Sequence, residues 1–209
     1  YPTQQHEFAD MTKQITPDGG PQGRLQRKAS LSGIYITQFR QVFLRHGLTM
    51  GLAALVCLLV PIATESIQWS TASFLGDYPR YFVIGSMLVI FFLGYLRVRG
   101  YSTAGRELFW LVYLLYISIV EEFAFRLILP SFLTVSMGVI PAAILSNLVF
   151  AGVHFFTLRW RLANCVGVFL GGLGLSRLLG TTEDIILVIG VHWLVTFLNT
   201  PTAPTRQTD

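Results

Sequence analysis

The chain has 209 residues, of which 53% are hydrophobic and 12% charged, with a formal net charge of +4. A soluble domain carries about 25% charged residues, so this composition, with a mean hydropathy of +0.58, excludes an ordinary soluble fold. The basic residues flank apolar segments, which points to orientation signalling in a membrane and away from nucleic acid.

A bilayer core about 30 Å thick asks for about 20 mostly apolar residues per helical span. The chain has room for about six, so the predicted fold is an all-α polytopic membrane helix bundle. Three parts are predicted: a polar arm over 1–45, a transmembrane domain over 46–200 and a short polar tail over 201–209. Cys57 and Cys165 lie inside apolar stretches without paired spacing, which indicates neither a disulfide framework nor a zinc motif.

The arm is rich in Gly, Pro, Gln and Thr up to about residue 33 and cannot bury enough apolar surface to order itself. From Ile34 to Leu48, Phe39, Val42, Phe43 and His46 fall at helical spacing with Arg40 and Arg45 among them. That pattern fits an interfacial helix or a plain juxtamembrane lead-in. The spans then run over about Leu48–Thr64, with Pro61 near the end, and Tyr81–Leu96. The third covers Leu108–Leu129, ended by Pro130. The fourth covers Ile140–Phe156, with Pro141 in its first turn where the missing N–H is harmless. Leu162–Leu179 and Ile185–Leu198 complete the set.

Charge sets the expected topology. With the N-terminus cytoplasmic, that side receives Lys13, Arg24, Arg27, Lys28, Arg40, Arg45, Arg97, Arg99, Arg106, Arg159, Arg161 and Arg206. The other side receives only Arg80 and Arg177, and Arg126 lies within a span. The positive-inside rule then places both termini in the cytoplasm. In the fifth span, Gly167 and Gly171, followed by Gly172 and Gly174, suit close helix approach, either in a dimer or within the bundle.

Charged groups in hydrocarbon cost about 2.5–3.5 kcal/mol each on insertion scales and mark functional candidates. The third span holds Glu121, Glu122 and Arg126, the fourth Asn147 and His154, the sixth His192, Thr196 and Asn199. Glu122 and Arg126 are four residues apart and can pair on one face. Glu121 points about 100° away from Glu122 and has no local cation. Asn147 and His154 share a face, as do His192, Thr196 and Asn199, so a bundle can aim three polar stripes at one interior point.

These residues resemble the CPBP family, the CAAX-protease and bacteriocin-processing (Abi-like) group of intramembrane proteases. Glu121-Glu122-Phe-Ala-Phe-Arg126 matches its EExxxR motif, and Phe150-Ala-Gly-Val-His154 its FxxxH motif. His192 falls where the third motif places its histidine, and the likeness covers roughly residues 105–200. It implies that Glu121, helped by His154, activates a water for attack on a peptide carbonyl, and that His192 stabilises the oxyanion. It implies a structural role for Glu122 and Arg126 and no metal cofactor. One position departs: the third motif is usually HxxxN or HxxxD, and Thr196 stands at its end here, with Asn199 one turn further on.

The expected activity is therefore an intramembrane endopeptidase acting on membrane-anchored, lipidated or unlipidated, peptides or proteins near the cytoplasmic face. The alternative is a non-catalytic CPBP-like subunit or assembly factor of a membrane complex, docked through its N-terminal arm. Two imidazoles and a carboxylate (Glu121, His154, His192) would also suit zinc, and no internal repeat or pair of broken helices favours a transporter. Plasma membrane and an internal membrane such as a thylakoid fit equally.

Overall fold

The computed structural model describes residue 36 and residues 38–101 and 105–204. The polar arm before residue 36 and the end of the tail lie outside them. The described residues form seven helices: α1 Phe39–Leu58, α2 Ala63–Gly76, α3 Tyr78–Val98, α4 Gly105–Met137, α5 Val139–Thr157, α6 Leu162–Thr182 and α7 Ile185–Asn199. Five of them (α1, α3, α4, α5 and α6) are long and apolar enough to cross a membrane. The sixth apolar segment, α7, has 15 residues. The chain is an integral membrane protein with an all-helical fold.

Helix α1 begins at Phe39, so the stretch fitted to an interfacial helix is the first part of the first span. Its buried residues Val42, His46, Met50 and Ala54 recur every four residues and form one stripe against α4. A π-turn over Phe43–Gly47 lies inside this stripe. The Tyr116 hydroxyl donates to the Gly47 carbonyl at 3.0 Å. A side chain on Gly51 would put its Cβ 2.3 Å from that hydroxyl, so only glycine permits this approach. The span ends at Leu58 and not at Thr64, because Pro61 has no N–H to continue the ladder and α2 restarts at Ala63.

Helix α4 is the centre of the bundle and packs on α1 and α7. It passes through Pro130 and stops only at Gly138, whose φ is +81°. The expected stop at Pro130 fails for a local reason. A π-turn over Phe123–Ile128 widens the helix just before the proline, which gives the ring room and removes the strict demand for its N–H. Pro141 lies in the first turn of α5, as expected.

Helix α3 touches the core mainly through Phe92, whose ring lies 4.8 Å from Trp193 and 4.3 Å from Phe197 of α7. Its other anchor is Tyr81, whose hydroxyl donates to Asp184. Asp184 also caps α7, accepting from the Leu187 N–H at 3.0 Å. After α7 the chain folds back on the start of α4. Trp110 donates to the Thr200 carbonyl at 2.8 Å, and the Ala203 N–H donates to the buried Glu107 carboxylate at 3.0 Å.

Candidate active site

The polar residues of α1, α4, α5 and α7 meet near the C-terminal end of α5. Arg45 of α1 donates to the carbonyls of Thr157 and Phe156, at 3.2 and 3.4 Å. These are the last, unpartnered carbonyls of α5, where a cation is favoured. This clamp fixes the height of α1 against α5 and brings His46 level with His154.

Glu121 is the hub. It is 1% exposed and takes contacts from three imidazoles. His46 Nε2 lies 2.8 Å from its Oε1, His154 Nε2 3.8 Å from the same oxygen, and His192 Nε2 3.5 Å from Oε2. Only the first is hydrogen-bond length. Each ring is aimed by its other nitrogen: His154 Nδ1 donates to the Phe150 carbonyl at 3.0 Å, His192 Nδ1 to Glu122 Oε1 at 2.5 Å, and His46 Nδ1 faces Thr157 Oγ1 at 2.8 Å. The second oxygen of Glu122 faces Arg126 Nε at 3.6 Å, and the Arg126 guanidinium sits 3.8 Å over the Phe150 ring. That stacking lets an apolar ring share a buried charge. The π-turn that carries Arg126 begins right after the two glutamates.

A cavity of about 450 Å³ opens onto these groups. Its wall includes Glu121, Arg126, His46, His154, His192, Phe150, Thr196 and Asn199, with Trp110, Tyr113 and Val168 among its apolar lining. Trp160, in the loop after α5, stands 5.2 Å from the His154 ring. Gly167 and Gly171 also line the cavity, and a methyl group at either would meet open space. Their small size keeps volume in the cavity. Gly172 alone of this row is pressed: a Cβ there would fall 2.1 Å from Asn147 Oδ1 and 2.9 Å from Arg126 Nη2.

The sequence-predicted residues thus separate into four placements. Glu121, His154 and His192 converge, with Phe150 and Arg126 beside them. Thr196 and the exposed Asn199 border the cavity further along α7. Glu122 stands behind His192, and Asn147 lies apart. Its side chain donates to the Ala143 carbonyl and to Ser176 of α6, at 2.8 and 2.9 Å, so it joins α5 to α6 and does not reach Glu121.

His46 and Thr157 carry no motif, and sequence spacing alone leaves His46 within the lead-in to the first span. The only signal that could have raised it is its place in the Val42–Met50–Ala54 stripe, because an imidazole on the buried face of a span needs a partner. Among the described residues, the side chains whose ligand atoms approach closely enough for a divalent cation are His46, Glu121 and His154, all within 4.8 Å of one another. The zinc alternative would therefore use His46 where the sequence suggested His192.

Residues 103–198 match the family model of the type II CAAX prenyl endopeptidases, Rce1-like. This stretch is similar to an Rce1-like domain of the CPBP family. No curated protein and no solved structure gives a significant match. The Rce1-like domain contains α4 through most of α7, and hence Glu121, Glu122, Arg126, His154 and His192. Helix α1 and His46 lie before it.

Proposed function

We propose that the protein is an intramembrane endopeptidase that cleaves membrane-anchored peptides or proteins, lipidated ones included, with a water activated by Glu121 and His154. The observation that carries this reading is the hub itself: one buried carboxylate faced by three imidazole nitrogens on the wall of a largely apolar cavity. Membrane-anchored substrates suit such a cavity because its apolar lining can take an acyl, prenyl or apolar side chain.

The chemistry runs through the chain's own groups. Glu121 takes a proton from water as the oxygen bonds to the scissile carbonyl carbon. The His154 ring, aimed by the Phe150 carbonyl, presents Nε2 to the same water. The proton passes from Glu121 Oε2 to His192 Nε2, 3.5 Å away. Glu122 holds His192 Nδ1–H and stabilises the resulting imidazolium. His192 then donates to the oxyanion and, as the C–N bond breaks, to the departing amine. Arg126 holds Glu122 in place, and neither a metal nor another cofactor is required.

The basic residues Arg45, Arg97, Arg99, Arg106, Arg159 and Arg161 cluster at the α1, α3, α4 and α5 ends nearest the site. By the positive-inside rule that end is cytoplasmic, and cleavage occurs near that face with both termini in the cytoplasm. Thr196 favours the second reading, a non-catalytic subunit or assembly factor, because a hydroxyl stands where the family pattern has an amide or carboxylate.

The deciding experiment compares newly formed peptide termini in membranes with wild-type protein or Glu121→Gln at equal abundance. Termini that vanish in the variant establish proteolysis and name the substrate. Identical profiles overturn the protease reading and direct attention to a co-purifying complex.

A further inference from the structure

Thr157 decides the proton inventory of the site. Its hydroxyl carries one hydrogen and donates it to the Val153 carbonyl at 2.7 Å. Towards His46 Nδ1, 2.8 Å away, Thr157 Oγ1 can therefore only accept, so His46 Nδ1 bears a hydrogen. The other face of the same ring then poses a problem. A neutral imidazole protonated at Nδ1 offers a lone pair at Nε2, and a carboxylate offers lone pairs only. Two acceptors do not settle at the 2.8 Å that separates His46 Nε2 from Glu121 Oε1. That contact must contain a proton of its own.

Charge gives the same answer independently. The buried cluster holds two carboxylates, Glu121 and Glu122, and one guanidinium, Arg126. His154 and His192 both spend their Nδ1–H on acceptors, the Phe150 carbonyl and Glu122, and their Nε2 atoms lie 3.8 and 3.5 Å from Glu121, too far to share a proton in the resting state. Arg126 offsets one carboxylate. An uncompensated second charge in the bilayer interior is costly, and the His46 contact is where its counter-charge can sit.

We infer that His46, outside the Rce1-like domain, is a positioning residue for Glu121: as an imidazolium it donates from Nδ1 to Thr157 and from Nε2 to Glu121 Oε1. The consequence for the proposed reaction, on which this role rests, is a division of labour between the two carboxylate oxygens. Oε1 is tied to His46, while Oε2 stays free to take the proton of water and pass it to His192. The His46 proton is neither consumed nor released in the cycle. It keeps Glu121 ionised before the attack, and it offsets the oxyanion after the water proton has neutralised the carboxyl group.

The test uses the full chain in lipid nanodiscs, with ¹⁵N-labelled histidine. The expected spectrum contains one ring with both nitrogens protonated, and this signal disappears in His46→Gln and becomes that of a neutral ring in Glu121→Gln. A wild-type spectrum with every ring neutral overturns the inference. So does one tightly held divalent ion per chain by elemental analysis, because an ion on His46 Nε2 would displace the proton.

In membranes, His46→Gln is expected to slow the release of Glu121-dependent termini about a hundredfold at unchanged protein abundance, and wild-type release overturns the role. Should His46→Gln fail to fold, Thr157→Val, which removes only the Nδ1 acceptor, is expected to shift the same ring signal; an unmoved signal overturns the bookkeeping. If Glu121→Gln leaves the termini unchanged, the endopeptidase reading falls, while the wild-type spectrum still decides the state of His46.

Discussion

Helices α3 and α4 have nearly the same mean hydropathy over their most apolar windows, 1.9 and 1.8, yet 11% of that window is buried in α3 and 56% in α4. In water, apolar surface drives burial. In lipid it does not, because the acyl chains are as apolar as the side chains, and a helix is drawn inward by packing and by polar groups that need partners. Helix α4 carries Glu107, Ser118, Glu121, Glu122 and Arg126, all buried. Helix α3 buries only Phe92 and Leu96 and shows lipid large side chains such as Phe82, which is 77% exposed. Hydropathy finds the spans, and the polar exceptions within them say which span is central.

That contrast can be tested by substitutions in descending order of effect. The largest is expected at Glu121 in α4. Glu121→Gln keeps the shape and removes the proposed base, so turnover, followed as the initial rate of terminus release, should fall by about 10³-fold or more, while thermal stability in detergent changes little.

Next is Arg126→Met. It leaves Glu122 as a buried carboxylate with its guanidinium gone, and breaking a buried pair from one side costs about 3–5 kcal/mol. The variant should lose folded protein, seen as a lowered melting temperature and loss of the monodisperse peak in detergent. Stability equal to wild type would mean that His192 alone satisfies Glu122.

A smaller loss is expected at Gly172→Ala in α6. The new methyl group falls 2.1 Å from Asn147 Oδ1 and must displace an amide that ties α5 to α6, for about 1–3 kcal/mol of overpacking strain. Gly167→Ala, which meets open space, is the matched control and should leave stability unchanged. The smallest effect belongs to α3: Phe82→Ala should stay within about 0.5 kcal/mol. A large loss there would show that α3 is covered by another chain in the membrane.

Much of this was legible in the sequence, for a physical reason. Glu121, Glu122, Arg126, His154 and His192 stand out because hydrocarbon makes each of them expensive, and a single chain can reveal expense without any relatives for comparison. Their convergence followed from the shared-face argument. What stayed hidden depended on tertiary placement. His46 looked like part of an amphipathic lead-in because Arg40 and Arg45 surround it, and nothing local says that Arg45 will clamp the end of α5 and slide His46 onto Glu121. The passage of α4 through Pro130 was hidden too, since a π-turn leaves no mark in composition. Asn147 shared a face with His154 by count, but two turns of helix carried it to α6. The partner of Glu122 was read only in part: Arg126 was expected, and His192 at 2.5 Å is the closer one.

Helix α7 has one further consequence. Its 15 residues rise about 22 Å, well under the hydrocarbon thickness of about 30 Å, and Leu198 on it is 46% exposed. Lipids against that side meet a wall too short for them. Hydrophobic mismatch of this kind is relieved by local thinning of the bilayer, which draws headgroups and water down beside the helix that carries His192. A protein built this way is favoured in thinner membranes.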